Sequence, residues 1–292
     1  MPDILVFDIG GTYVKHGIVN EKAEMKKSDK YRTPETLEEL INSIRRIWDK
    51  SGAVQGAAVS APGAVGEDGI IYGTSALPYF HGPNIKAAVQ TSLQCPVYLE
   101  NDANCAAYAE VWNGAGADRK NIIVMTIGTG IGGAVIKNRE LHKGAHLHGG
   151  EFGYMLTNWS SPNPKTWSET ASMGALVDKV NQKKSPGGDT LTGQDVYRLA
   201  EEGDVVCKEA IANFYRDLAA GIYNIQYVYD PEVILIGGGI SERESAVEEI
   251  QRAVDKLVHS IPDATITPKV LPCSYRQHAN IIGAAYGFFN HL

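Results

Sequence analysis

The chain has 292 residues, 43% of them hydrophobic and 21% charged, with a formal charge of −7 and a pI near 5.6. That length suits one large domain or two medium ones, and the composition is that of an ordinary soluble globular protein. The acidity excludes a broad basic face for nucleic acid but leaves room for an anion held by backbone N–H groups.

Cys95, Cys105, Cys207 and Cys273 form no CxxC pair and fit reduced thiols. The opening MPDILVFDIGGT enters a strand pattern directly, without the basic and apolar regions of a secretory leader. No apolar run approaches the roughly 18 residues of a membrane span. The expectation is a cytoplasmic protein that uses neither membrane nor nucleic acid as a partner.

Residues 4–9 read as a short apolar strand containing Asp8, followed by Gly10-Gly11 and a second strand over 13–19. Strand, glycine turn, strand is a hairpin signature. Over 36–50, Leu37, Leu40, Ile41, Ile44 and Ile47 recur at helical spacing. Glu38 and Glu39 near its start and Arg45, Arg46 and Lys50 near its end suit the helix dipole. Residues 54–60 read as a buried strand stopped by Pro62-Gly63, 85–93 as a helix and 97–100 as a strand. Asn101-Asp102 then open a helix rich in small residues. A strand over 122–127 leads into GTGIGG (residues 128–133) and a strand over 134–137, so the glycine hairpin recurs.

Residues 160–165 read as loop and 183–188 as an exposed turn. A long helix is expected over 205–229, with Ala210, Ile211, Phe214, Leu218 and Ile222 on one face. A strand over 233–236 runs into Gly237-Gly238-Gly239. Ser241-Glu242-Arg243-Glu244 predicts a capping box for a helix to Val258, and 280–292 a final apolar helix. Mixed strands and helices make the class α/β. The two glycine hairpins suggest two related halves, with a boundary near 114–120.

Consecutive glycines let backbone N–H groups converge on an anion without Cβ crowding. In DIGGT, Asp8 adds a carboxylate able to organise Mg²⁺ through water, and Thr12 adds a hydroxyl. GTGIGG offers a second nest. Taken singly, each cluster reads more readily as a tight hairpin than as a phosphate nest. Neither is a Walker A loop, and each precedes a strand, unlike a dinucleotide-binding fingerprint. The third cluster lies between strand and helix, where a helix N-terminus could face a nucleotide. Asp102, in Glu100-Asn101-Asp102-Ala103-Asn104, has two readings as well. It sits where Asn and Asp cap helices, and it could be the base that takes a hydroxyl proton in phosphoryl transfer, with Asn101 orienting a diol.

Jointly, DIGGT, ENDAN, GTGIGG and GGGIS occur in the order and spacing of the ROK family of sugar kinases and repressors, which the chain resembles over nearly its whole length. SAPGAV, ENDANCAAYAE, IGTGIGGA and GGEFGYMLT resemble the family's bacterial β-glucoside kinases. The resemblance implies a two-lobed actin-like ATPase (ribonuclease H-like) fold with ATP and sugar in an interdomain cleft. The small lobe would span residues 1–117 plus a returning helix over about 280–292, and the large lobe 118–279. Asp102 would be the general base. Gly63, Asn101, Asp102, Glu151 and Glu169 would meet the sugar. Gly10, Gly11, Thr12, Gly128, Thr129 and Gly130 would meet phosphates, Asp8 would hold Mg²⁺ through water, and Gly238 and Gly239 would flank adenosine. Such enzymes are commonly homodimers.

The sequence also departs from the family. Many members carry a zinc held by three Cys and the His of ExGH. Here Tyr154 stands in the His position and Trp167 where the last Cys would be, so no structural zinc is expected. Tyr154 either replaces the lost sugar contact through its hydroxyl or packs. His142, His146 and His148 read as solvated loop rather than as metal ligands. Ala76 stands where an Asn is common, which removes a polar clamp. Tyr79, Phe80 and His81 either line a pocket for an aglycone or second sugar, or belong to core or dimer surface. Lys15 either neutralises phosphate or is a solvated hairpin lysine. The function expected is ATP-dependent phosphorylation of a sugar, at the 6-hydroxyl of the non-reducing glucose of a β-glucoside such as cellobiose. N-acetylmannosamine or glucose are the alternative substrates. A sugar-sensing repressor of the same family is disfavoured, because the DIGGT strand starts at residue 4 with no DNA-reading module ahead of it.

Overall fold

The computed structural model describes residues 2–157, 162–184, 190–276 and 278–292. Residues 160 and 161 of the expected loop, and 185–188 of the expected turn, lie outside the described residues.

In the first half, the hairpin β1 (Asp3–Ile9) and β2 (Tyr13–Asn20) is joined by β3 (Met25–Arg32). The helix α1 (Leu37–Trp48) follows, capped by the Thr36 hydroxyl on the Glu39 N–H. β4 (Ala57–Ala61) pairs parallel with β1. A small hairpin, β5 (Ala64–Val65) and β6 (Ile71–Tyr72), precedes α2 (Ile85–Leu93). β7 (Val97–Asn101) runs straight into α3 (Asp102–Asn113). The sheet order is β3-β2-β1-β4-β7.

The second half repeats the plan. β8 (Ile122–Ile127) and β9 (Ile131–Lys137) form the hairpin, and the two-residue β10 (Glu140–Leu141) extends it. The short α4 (Trp167–Ala171), α5 (Met173–Lys184), α6 (Gly193–Glu201) and the long α7 (Val205–Tyr229) come next. β11 (Val233–Gly237), α8 (Ala246–His259) and β12 (Val270–Pro272) complete the order β10-β9-β8-β11-β12. The final helix is α9 (Ala279–His291). In each sheet an antiparallel hairpin is followed outward by two parallel strands.

Two expectations need correction. Ser241 does not open a capping box. Gly238 turns the chain at φ +83, the Ser241 hydroxyl bonds back to the Gly238 carbonyl (2.7 Å), and a 3-10 turn over Gly239–Glu242 intervenes. α8 therefore begins only at Ala246, with no side-chain cap. The second hairpin strand starts at Ile131 rather than at residue 134, because Gly132 and Gly133 pair with Thr126 and Met125.

By its internal contacts the chain divides into two compact units. Unit 1 comprises Met1–Asp118, Lys143–Gly149 and Ser274–Leu292, and unit 2 comprises Arg119–His142 and Gly150–Cys273. Residues 143–149 and 274–279, expected in the second lobe, thus group with unit 1. Alternation along β1 sends Leu5, Phe7 and Ile9 to one face, packed with Leu40, Ile44 and Val89 of α1 and α2. Ile4 and Val6 face the other way, onto Cys105 and Ala109 of α3 and Ile281, Ile282 and Ala285 of α9. Unit 2 has its own core, in which Trp167 meets Phe214, Leu218 and Ile222 of α7. No helix among the described residues is long and apolar enough to cross a membrane.

Candidate active site

In unit 1 the first glycine turn joins β1 to β2. The Gly10 N–H bonds the Tyr13 carbonyl (3.0 Å), and the Thr33 hydroxyl bonds the Gly10 carbonyl (2.6 Å). Thr33 also donates its N–H to the Thr12 carbonyl (3.1 Å), so β3 buttresses the turn while Gly11 and Thr12 stay exposed. Asp8 is 7% exposed at the end of β1. Its Oδ1 accepts from the Ser60 hydroxyl (3.1 Å) and from Asn280 Nδ2 (3.0 Å), and Lys15 Nζ lies 3.5 Å from Oδ2. With one oxygen bonded twice and an ammonium beside the other, this carboxylate suits a Mg²⁺ reached through water better than a directly bound ion.

At the β7–α3 junction the capping alternative resolves onto Asn101, whose Oδ1 accepts the Asn104 N–H (3.1 Å). Asn101 Nδ2 donates to the Gly63 carbonyl (3.0 Å), so Gly63 and Asn101 lie together. Asp102 is the first helical residue, and its Oδ1 accepts from the Ala103 N–H (2.8 Å). Gly63 sits at φ +105, and a Cβ there would be 2.7 Å from Ile71 Cγ2, so the loop needs glycine. His81 braces this loop, with Nε2 2.9 Å from Ser75 Oγ and Nδ1 3.3 Å from the Ile71 carbonyl. Phe80 is wholly buried and Tyr79 bonds the Pro34 carbonyl (2.8 Å), so both belong to the unit 1 core rather than to a pocket wall. Ala76 borders the first glycine turn, with its Cβ 3.0 Å from where a Gly11 Cβ would stand.

Sequence reasoning left Glu100 without a role. It is 2% exposed. Its Oε1 accepts from the Asn101 N–H (2.8 Å) and Asn104 Nδ2 (3.0 Å), and its Oε2 meets Lys143 Nζ (2.5 Å). Burial pushes the Cys105 thiol well up, and the charges of Glu100, Asp8 and Asp102 add to that. Three carboxylates thus lie near Cys105 in unit 1.

In unit 2 the second glycine turn is closed by the Gly128 N–H on the Gly130 carbonyl (2.9 Å). The Gly174 N–H at the start of α5 bonds the Gly128 carbonyl (3.3 Å). Ser168 Oγ accepts the Ile131 N–H (2.9 Å) and so ties the hairpin to α4. The third cluster adjoins the second, since a Cβ on Gly128 would lie 3.9 Å from the Gly239 N. Gly238 has no room for a side chain, because a Cβ would be 2.7 Å from the Ile127 N. The exposed Thr129, Gly130, Gly238 and Gly239, with the half-buried Gly128, therefore form one patch of backbone. Glu151 precedes and Tyr154 ends a 3-10 turn over Phe152–Tyr154, and Tyr154 is 71% exposed with its ring outside the core. Glu169 is exposed, and its Oε2 accepts from the Thr166 N–H and hydroxyl (both 2.8 Å) in a capping box for α4. Those bonds hold its carboxyl below the usual range. Trp167 is fully buried, with Nε1 donating to the Asp217 carbonyl (3.0 Å), so an indole anchors the segment. Among the described residues no group of three or more His, Cys, Asp or Glu could hold a metal ion.

Comparison with known proteins adds family and fold. Residues 4–289 match the model of the ROK family. The chain is 32% identical to a β-glucoside kinase of Listeria monocytogenes, with 98% of this chain and 97% of that protein aligned. A ROK family protein from Streptococcus pneumoniae in complex with sucrose superposes with TM-score 0.93 at 38% identity, covering 99% and 98% of the two chains. A ROK family glucokinase from Streptomyces griseus in complex with glucose and AMPPNP gives 0.76 at 25% identity, covering 97% and 98%. The fold is that of the actin-like ATPases.

Proposed function

The chain belongs to the ROK family and is an ATP-dependent carbohydrate kinase of it, and we propose that it phosphorylates the 6-hydroxyl of the non-reducing glucose of a β-glucoside such as cellobiose. The observation that carries the mechanism is the Gly63–Asn101–Asp102 cluster at the β7–α3 junction, beside a phosphate turn built on Asp8. Phosphoryl transfer asks little covalent help of a protein. It needs an aligned hydroxyl, a place for its proton and countercharge for the phosphates.

Asp102 takes the proton of the attacking hydroxyl on a carboxylate oxygen, fixed at the first turn of α3 by the Ala103 N–H. Asn101 is pinned at both ends of its amide, by Asn104 and Gly63, so it presents a rigid edge to neighbouring sugar hydroxyls. Glu151, Glu169 and Tyr154 supply further sugar contacts. Gly10 and Gly128 spend their own N–H groups on closing the two turns, which leaves the N–H groups of Gly11 and Thr12, and those of Thr129 and Gly130, to bind the phosphates, while Gly238 and Gly239 lie along the adenosine. Mg²⁺ bound with the nucleotide would neutralise charge on the β- and γ-phosphoryl oxygens. Asp8 fits an outer contact to it, oriented by Ser60 and Asn280.

Two relatives support the substrate. The Listeria monocytogenes relative is a β-glucoside kinase, and the Streptococcus pneumoniae protein in complex with sucrose supports a site of disaccharide size rather than the β linkage. Ala76 in place of an amide sets a methyl group rather than a polar clamp against Gly11. The second reading, glucose as substrate, is favoured by the Streptomyces griseus glucokinase with glucose bound. Turnover measured side by side on cellobiose, glucose and N-acetylmannosamine decides among them. Preference for a free monosaccharide overturns the β-glucoside assignment. In the same assay Asp102→Asn loses turnover by about 10²-fold or more while sugar binding persists, and near-normal turnover removes Asp102 as the base.

A further inference from the structure

Lys143 lies far in sequence from the residues it touches. The chain leaves unit 2 after His142, forms residues 143–149 within unit 1, and rejoins unit 2 at Gly150, one residue before Glu151. This excursion is a closed loop: the Gly149 N–H bonds the Lys143 carbonyl (2.7 Å), and Gly144 turns at φ +72. The Lys143 side chain is about three-quarters buried, at 26% exposure. Its Nζ reaches the buried Glu100 Oε2 (2.5 Å) and lies 3.4 Å from the Val65 carbonyl.

Those two partners belong to two separate segments. Glu100 Oε1 holds the Asn101 N–H and the Asn104 side chain, which fixes the strand-to-helix turn carrying Asp102. Val65 lies two residues beyond Gly63, in the small hairpin whose Gly63 carbonyl accepts from Asn101 Nδ2. One ammonium therefore ties the Gly63–Val65 loop to the Glu100–Asp102 turn, and the chain that carries it continues into Glu151. A buried ion pair adds little net stability against an apolar replacement. Its three-way geometry fixes position instead, and small displacements in a reacting site are costly.

We propose that Lys143 is a positioning residue for the sugar acceptor: it holds the Gly63 loop and the Asp102 turn in register. This rests on the reading of Gly63, Asn101 and Asp102 as the acceptor site. It predicts a defect confined to the acceptor, since Lys143 has no bond to Gly10, Gly11 or Thr12.

The test measures KM for cellobiose and for ATP separately, with kcat, in Lys143→Met and Lys143→Arg. Lys143→Met raises the KM for cellobiose about tenfold or more and lowers kcat, while the KM for ATP stays within about twofold. Lys143→Arg, which keeps a cation and several donors, recovers most of the loss. Unchanged kinetics with cellobiose, an equal rise in both KM values, or no recovery with Arg overturns the proposal. Should Lys143→Met not fold because Glu100 is left charged and unpaired, the double variant Glu100→Gln/Lys143→Met takes its place. It lacks the buried charge but also the tie to Val65, so the KM for cellobiose stays raised, and a wild-type value refutes the tie. If cellobiose is not a substrate, the same ratio is read with the sugar the wild type prefers. Calorimetric binding of that sugar to Asp102→Asn, with and without Lys143→Met, separates this proposal from the base assignment. Lys143→Met weakens binding there even if Asp102 proves not to be the base.

Discussion

Gly221 and Trp167 give a test of how unit 2 holds α4 and therefore Glu169. Gly221 lies within α7, packed on the buried indole of Trp167. A Cβ at Gly221 would stand 2.7 Å from Trp167 Cη2 and nearer still to Cζ2 and Cε2. Ala in a helix is favoured over Gly by about 1 kcal/mol. Overpacking a rigid core costs about 1–3 kcal/mol, and here the obstacle is a ring whose Nε1 is pinned to the Asp217 carbonyl. Gly221→Ala should therefore destabilise the protein by about 1 kcal/mol net, taking about 2 for the clash less about 1 for propensity. Trp167→Ala alone should cost about 3–5 kcal/mol through the cavity it leaves. In that background the clash is gone, so Gly221→Ala should stabilise by about 1 kcal/mol, a coupling of about 2 kcal/mol between the two sites. Urea titration followed by far-ultraviolet circular dichroism measures all four corners of the cycle. A Gly221→Ala effect of the same sign in both backgrounds would refute the indole as the anchor of this segment.

Asp204 caps α7 through the Cys207 N–H (2.9 Å) and bonds Lys184, and these contacts lower its carboxyl to about 2, with Lys184 the larger cause. A depressed folded-state value stabilises above the unfolded value of about 4 and is lost as pH falls through about 2. The stability gap between wild type and Asp204→Asn should be full at pH 6 and close progressively below pH 4; urea midpoints that shift in parallel down to pH 2.5 would contradict this. Asn280→Ala removes one bond that orients Asp8. Losing a bond of about 1 kcal/mol should raise the Mg²⁺ concentration for half-maximal rate roughly fivefold, with the sugar KM unchanged. A sugar KM that moves while the Mg²⁺ requirement does not would place Asn280 elsewhere in the mechanism.

Elements with strong periodicity were legible in the sequence. The long helix α7 and the strand β8 fall where the apolar spacing puts them. β3 gave no such signal, because MKKSDKYR lacks apolar alternation and lies at a sheet edge; its strand character comes from pairing with β2, as in Val14↔Tyr31. α5 and α6 were also missed, because polar residues interrupt their apolar spacing. At the site, the glycine turns and ENDAN stood out because their chemistry is local. Lys143, Asn280 and Ser60 did not, since each acts on a carboxylate that only the folded chain brings near: Glu100 for the first, Asp8 for the other two. The Ser241 capping box failed for a comparable reason, as Gly238 imposes a turn that occupies the Ser241 hydroxyl before the helix begins.

The placement of α9 sets an order of events during synthesis. Unit 2 ends at Cys273, so a ribosome has made all of it before unit 1, begun first, has its last helix. Until then the sheet face bearing Ile4, Val6 and Ala58 lacks Ile281, Ile282 and Ala285, and stays open to water and to other chains. The closing helix also fits tightly. Gly283 lies on the Cys105 backbone and Gly287 on the Tyr98 ring, where no side chain could stand. The nascent protein thus carries a vulnerable apolar surface until α9 emerges, and that helix seals the half of the molecule in which the Asp102 turn lies.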